Sequence, residues 1–258
     1  MGRKKKQFPD LQVQRMHHSG HGYALVDERP VLVEEGLPGD RVTAVERRKK
    51  KGFLQLRVQE YQRYGIPRVT PFCRHFDLCG GCTLQHVSYQ EQLTLKSQIV
   101  ESALKAHLGE EELQGAEIEP ILGCESDRFY RNKLEFSFSS SRWLTEAEKE
   151  REDSVEDRRA LGFHVPGRFD RVLDIEECHL QPDPSNRIRN HIKEYALRRG
   201  FTFYDPREHH GLLRLLLLRT SLKGETLVTV MFGEDDREQR EEILRFIRSE
   251  LPEIDSLY

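Results

Sequence analysis

Apolar and polar residues alternate along the first part of the chain and again after residue 130, with helical spacing between and near the end. "LQVQRMH", "GYALVDE", "VTAVE" and "FLQLRVQEY" put apolar side chains on every second position, the period of a half-buried strand. Pro38-Gly39-Asp40 is a turn signal, because proline presets φ and glycine accepts a positive φ. Short strands at this density predict a small β-barrel over residues 1–65. "SGHGYAL" has two of the glycines of a dinucleotide loop. It lacks the third, and no strand–helix unit surrounds it, so a turn between strands is the better reading.

Leu93, Leu95, Ile99, Val100, Ala103 and Leu104 predict a helix, with Ser88 and Glu91 as a capping box and Gly109 as its stop. In "FYRNKLEFSFSSS", Tyr130, Leu134, Phe136 and Phe138 share one parity, and "ALGFHVPGRFDRVLDI" reads as the partner strand region. The charged stretch between them, about residues 141–160, reads as a mobile or helical excursion. A second helix is expected in "DPSNRIRNHIKEYALRRG", with Asp183 as N-cap, Pro184 in the first turn and Gly200 at the end. "GLLRLLLLRTSLKGETLVTVMFG" predicts two strands about a Lys223-Gly224 turn. "EDDREQREEILRFIRSELPE" predicts a last helix with acids at its positive end. "IDSLY" then begins a strand, and the simplest account is one part of a longer protein.

The chain has 258 residues, enough for more than one domain, with 33% charged and 36% hydrophobic residues. No apolar run approaches the roughly 18 residues of a membrane span. The basic start "MGRKKKQFPD" has no apolar segment behind it and is no signal peptide. A cytoplasmic protein without a membrane partner, and a monomer, is expected. Net charge is −3, which excludes a uniformly basic nucleic-acid binder. The basic charge is front-loaded, however, in "GRKKK" and "ERRKKKG".

Candidate chemistry lies in "CRHFDLCGGCTLQH". Cys73, Cys79 and Cys82 are three of the chain's five cysteines, spaced C-x5-C-x2-C around a Gly-Gly pair. An odd count in a chain of this size argues against a disulfide framework. A catalytic thiol with His75 or His86 as base leaves two thiols unexplained. Metal ligation uses all three, and glycines let the backbone wrap closely. Four thiolates suit a structural zinc or an iron–sulfur cube. Cys178, between a strand and a Pro-rich turn in "VLDIEECHLQPDP", is the better fourth ligand. Cys124, in "ILGCESDRFY", reads as a spare thiol.

"CGGCTLQHVSYQEQLTLK", "YRNKLEFSFS", "GFHVPGRFDRVLDIEECHLQ" and "GLLRLLLLR" together resemble the bacterial RNA uracil-5-methyltransferases. The likeness is to the ribosomal (23S) branch, which carries a TRAM domain and a [4Fe–4S] cluster. It covers nearly the whole chain, with the TRAM match diffuse over residues 8–65. It implies that Cys73, Cys79, Cys82 and Cys178 hold the cluster, and it moves the metal from undecided to iron–sulfur. The implied fold is α+β: a small OB-like barrel (the TRAM domain) at 1–65, an iron–sulfur loop at 66–87, a helical segment at 88–123 that would pack on a methyltransferase domain, and a central α/β domain at 124–258 supplying the fourth ligand.

The implied reaction transfers a methyl group from S-adenosylmethionine to C5 of a uracil, after a cysteine adds to C6. The base must leave its stack. The family's Rossmann-like domain and nucleophilic cysteine lie beyond Tyr258, so no catalytic or cofactor-binding residue is assigned, and this chain alone is expected to be inactive. The expected role is RNA recognition. Arg47, Arg48, Lys49, Lys50 and Lys51 would touch phosphates, and Arg131, Lys133 and Phe136 would meet unstacked bases. The plainer alternative puts Phe136 and Phe138 in the core and Arg131 in a surface ion pair. Two rival functions stay open: a zinc-stabilised RNA-binding module without catalysis, and an electron-transfer protein.

Overall fold

The computed structural model describes residues 5–50, 52–113, 115–150 and 157–258. The chain divides into two units. One comprises the chain to Pro71 plus Leu84–Gly123, and the other comprises Phe72–Thr83 plus Cys124–Tyr258.

The first unit holds β1 (Gln7–Gln12), β2 (Arg15–Met16), β3 (Gly22–Val26), β4 (Arg29–Glu34), β5 (Arg41–Lys50), β6 (Phe53–Arg63) and α1 (Tyr89–Leu113). Its sheet has the order β1-β5-β6-β4-β3-β2. All pairings are antiparallel except β4 with β6, which run parallel. The closed TRAM-like barrel expected over 1–65 is therefore not what forms. Among the described residues no ladder joins the edge strands β1 and β2. The alternation correctly marks strands, but it carries no information on which strands pair or whether the sheet closes. The "SGHG" stretch is a tight turn, with His17 N–H donating to the His21 carbonyl at 2.8 Å and Gly20 at φ +80°.

Alternate positions of this sheet form the unit's core: Val13, Ala24, Val33, Val42, Ala44 and Leu56 are fully buried. A smaller apolar cluster joins Met16, Leu37 and Val87 to Leu95 of α1, with Ile99 packed against it. Ser88 caps α1 through its Oγ, which accepts from Glu91 N–H at 3.3 Å. The helix passes Gly109 and ends at Leu113. "EEEL" after the glycine is helix-forming, and one internal glycine costs only about 1 kcal/mol.

Asp40 ties the turn after β4 to the chain beyond β6. Its side chain is fully buried and accepts from Leu37 N–H and Gly65 N–H, each at 2.8 Å, and from Arg68 at 2.7 Å. Burial, with Asp40 and Glu35 nearby, pushes the Tyr61 hydroxyl up to about 12.

The second unit holds β7 (Lys133–Ser139), α2 (Glu146–Lys149), β8 (Ala160–His164), β9 (Val172–Asp174), α3 (Ser185–Arg198), β10 (Leu213–Thr220), β11 (Thr226–Phe232), α4 (Arg237–Glu250) and β12 (Ser256–Leu257). The order is β12-β11-β10-β7-β8-β9, antiparallel except for the edge pair β11 and β12. This is a second mixed sheet, not the expected α/β domain. Leu134, Phe136 and Phe138 of β7 face Ile188, Ile192 and Ala196 of α3 and Ile243 and Ile247 of α4 in one core. The charged excursion forms α2, whose Thr145 and Glu148 make a reciprocal capping box. Its residues 151–156 lie outside the described ones. α3 starts one residue later than the expected first turn, with Pro184 at the cap position and no side-chain cap bond. α4 is capped by Asp236, which accepts from Gln239 N–H at 3.0 Å.

Asp40→Ala takes the acceptor from the buried Leu37 N–H and from Gly65 N–H and removes the carboxylate paired with Arg68. It is expected to destabilise the chain by about 3 kcal/mol, measured by urea unfolding. Asp10→Asn removes only the charge that pairs with Arg41 at an exposed site, because asparagine also accepts the φ of +54°. It should cost less than about 1 kcal/mol in the same assay.

Candidate metal centre

The cysteine loop belongs to the second unit, as does Cys178. Three pairs of contacts staple the loop to the segment before α3. Arg74 pairs with Glu176, His75 Nε2 accepts from Glu176 N–H at 3.3 Å, and the Phe72 ring meets His179 edge-on at 5.4 Å. Arg128 lies over the other side of Phe72, 4.2 Å from its centroid. The strand-like stretch Phe129–Arg131 runs alongside, donating to the carbonyls of His179 and Leu180 at 2.8 Å.

These contacts gather the four predicted thiols. Cys178 is buried in the second unit's core, with Leu78, Cys79 and Cys82 packed against it. Cys79 lies within electrostatic range of Cys82, Cys178 and Cys73, and Cys178 within that of Cys82 and Cys73. Burial pushes the Cys79 thiol up to about 11, with the neighbouring thiols adding and the Gly81 N–H opposing. Burial also raises Cys178, against the Leu180 N–H and the Arg189 charge. Gly81 N–H donates to Cys79 Sγ at 3.4 Å. Among the described residues, no set of three or more His, Cys, Asp or Glu is arranged to hold a metal ion. Cys124, exposed, stands outside this group.

Gly80 does what close wrapping requires. A Cβ on Gly80 would come within 2.5 Å of the His164 carbonyl oxygen, to which Gly80 N–H donates at 3.1 Å. That contact seats the loop against the end of β8. A Cβ on Gly81 would meet only ordinary contacts, Cys79 Sγ at 3.4 Å and the Phe163 ring at 3.6 Å.

The sequence gives no sign of the scaffold that holds Cys178. Asn186, in the first turn of α3, brackets the Cys178 backbone: Oδ1 accepts from Cys178 N–H at 2.8 Å and Nδ2 donates to its carbonyl at 3.1 Å. Arg189, one turn on, is fully buried. It donates to Asn186 Oδ1 at 2.9 Å, to the Glu176 carbonyl at 2.6 Å and to Asn190 Oδ1 at 3.1 Å. Its guanidinium lies 5.1 Å from the Phe136 ring centroid. Burial lowers its pKa to about 10, which leaves it a cation at neutral pH.

The predicted RNA residues scatter. Arg47 pairs with Glu34 and Arg48 donates to Gln55 at 2.8 Å. Lys49 and Lys50 are exposed on β5, and Lys51 lies outside the described residues. Lys133 pairs with Glu135 at 2.6 Å, and Arg131 is exposed. Phe136 is fully buried between Phe163, 5.1 Å away centroid to centroid, and Arg189, so it offers no face to a base. The expectation for that residue is corrected: its parity with Leu134 and Phe138 marks the core.

No family model matches the chain. It is 41% identical, over 96% of its length and 54% of the relative's, to a protein of Porphyromonas gingivalis named as an uncharacterized RNA methyltransferase. A protein of Bacteroides thetaiotaomicron with the same name is 41% identical over 94% of this chain and 53% of that one. The chain spans about half the length of these relatives. A solved structure, Pyrococcus abyssi tRNA (uracil-54, C5)-methyltransferase with S-adenosyl-L-homocysteine, matches with a TM-score of 0.59. It is 22% identical over 90% of this chain and 48% of that one, and so shows a shared fold. No described helix is long and apolar enough to cross a membrane.

Asn186→Ala strips both partners from the buried Cys178 backbone and is expected to cost about 2 kcal/mol in chemical unfolding. Asn190→Ala should cost less than half as much, because the Arg189 nitrogen it accepts from and the Glu176 carbonyl it donates to still bond each other.

Proposed function

We propose that this chain is the RNA-recognition and cluster-holding portion of an RNA (uracil-C5) methyltransferase that acts on 23S ribosomal RNA. The observation that supports the reading is that Cys79, Cys82 and Cys178 share one core with Cys73 within electrostatic range, in a chain similar over nearly its whole length to RNA methyltransferases. The motif resemblance supplies the uracil and the ribosomal substrate.

Four thiolates suit a structural zinc or a [4Fe–4S] cluster, and the motif resemblance is what selects the cluster. When bound, the group would supply a rigid tie between the loop at Cys73 and the segment at Cys178. The chain's own residues do the rest. Asn186 and Arg189 fix Cys178, Gly80 lets the loop close against His164, and Gly81 N–H is aimed at Cys79 Sγ. Arg189 is also a buried cation beside a site that gathers anionic ligands.

The methyl donor implied for the longer protein is S-adenosylmethionine, and the product is a C5-methyluracil with loss of the C5 proton. No residue here is assigned to that step. RNA contact falls to exposed cations that no carboxylate among the described residues neutralises, chiefly Lys49, Lys50 and Arg131.

Anaerobically purified protein is expected to be brown, with about four irons per chain. Cys178→Ser should lose most of the iron and the colour, while Cys124→Ser keeps both. One zinc and no colour would replace the cluster with a single structural ion. In RNA binding, Lys49→Glu with Lys50→Glu should weaken affinity for a ribosomal hairpin and flatten its salt dependence by about 0.7 per lost phosphate contact. Affinity indifferent to salt would overturn the RNA role.

A further inference from the structure

The connection between β8 and β9 carries a feature that neither the core nor the thiol site uses. Val165 N–H donates to the Arg171 carbonyl at 3.1 Å and Arg168 N–H to the Val165 carbonyl at 3.0 Å, closing a short loop with Gly167 at φ +76°. Phe169 stands at its tip, 70% exposed, well above Tyr64, Phe129 or Tyr130. Leaving such a ring in water forgoes the gain of burying it.

The neighbouring side chains are held, not loose. Asp170 is only 4% exposed and collects three guanidiniums. Arg168 donates to its two oxygens at 3.0 and 3.2 Å, Arg207 donates to Oδ2, and Arg171 Nε lies 4.0 Å from Oδ2. Hydrogen bonds from Arg168 and then Arg207 hold the carboxyl far below the usual carboxylate range, against its burial. One anion pinning three cations leaves a surplus of positive charge around the ring. The guanidiniums face water, with side-chain exposures of 45% for Arg168, 39% for Arg171 and 62% for Arg207.

We propose that the loop Val165–Arg171 is a grip for an unpaired RNA nucleotide, with Phe169 as the stacking face and Arg168, Arg171 and Arg207 on the adjacent phosphates. An exposed ring supplies the sequence-tolerant stacking that single-stranded RNA uses, and guanidiniums prepositioned by a buried carboxylate supply the backbone contacts. An acidic protein surface would use the charges but gain little from the ring. The stem of the loop is seated on the candidate metal centre, because Gly80 bonds to the His164 carbonyl and lies close to Pro166. The cysteine loop thus sets where the grip points. This inference rests on the RNA reading above and adds a contact site to it.

The test uses the full chain and two fluorescein-labelled RNAs, a hairpin with an unpaired uridine loop and a blunt duplex of the same stem, by anisotropy at fixed salt. Phe169→Ala is expected to weaken hairpin binding roughly five- to a hundredfold, in the range of a lost base–aromatic stack, and duplex binding by less than about twofold. Phe169→Tyr should restore hairpin affinity, and Phe169→Trp should show indole fluorescence quenched by the hairpin. Because the ring is exposed, these variants keep the fold, which the melting temperature checks. Wild-type binding to the hairpin with Phe169→Ala unchanged would overturn the grip and leave the RNA reading standing. Wild-type binding to neither RNA would overturn the RNA reading and the grip with it.

Discussion

A guanidinium taken out of water must find partners for its donors, and Arg189 places that demand on the second unit. It is fully buried, and its two terminal nitrogens fasten to a backbone carbonyl at Glu176 and to the side chains of Asn186 and Asn190, while Nε finds no hydrogen-bond partner among the described residues. Asn186 in turn occupies both polar backbone groups of Cys178. One unfavourable burial therefore fixes the approach of α3, the path of the preceding segment and the position of a thiol. Removing any member leaves the others with unpaired polar atoms in a core, which is why the arrangement acts as a unit.

Much of the secondary structure could be read in the sequence, because periodicity is a local property. The alternation in "KLEFSFS" and "LRLLLLRT" corresponds to β7 and β10, and the strand between residues 160 and 164 pairs with β7 as expected. Pairing is not local. The parallel contact of β4 with β6, and the open edges at β1 and β2, have no signature in residue order, and a barrel was the wrong inference from correct strands. Gly109 misled for a similar reason: a glycine ends a helix only when the residues after it do not continue one.

The thiol site was legible in part. The spacing of Cys73, Cys79 and Cys82 and the position of Cys178 pointed to one cluster of side chains; Cys79, Cys82 and Cys178 share one core, and Cys73 lies within electrostatic range of it. The supports were not legible. Asn186 and Arg189 look like ordinary polar positions of an amphipathic helix, and only the fold reveals that they face inward. Phe136 erred the other way: charge beside it suggested a surface, while its parity with two core residues already argued for burial.

The cysteine loop is carried on a detour. The chain leaves the first unit after Pro71, contributes twelve residues, Phe72–Thr83, to the second, and returns at Leu84 to build α1. No single cut can therefore excise either unit intact. A fragment ended before the detour would forfeit the helix that covers Met16 and Leu37. A fragment begun after it would lack three of the four sulfur atoms.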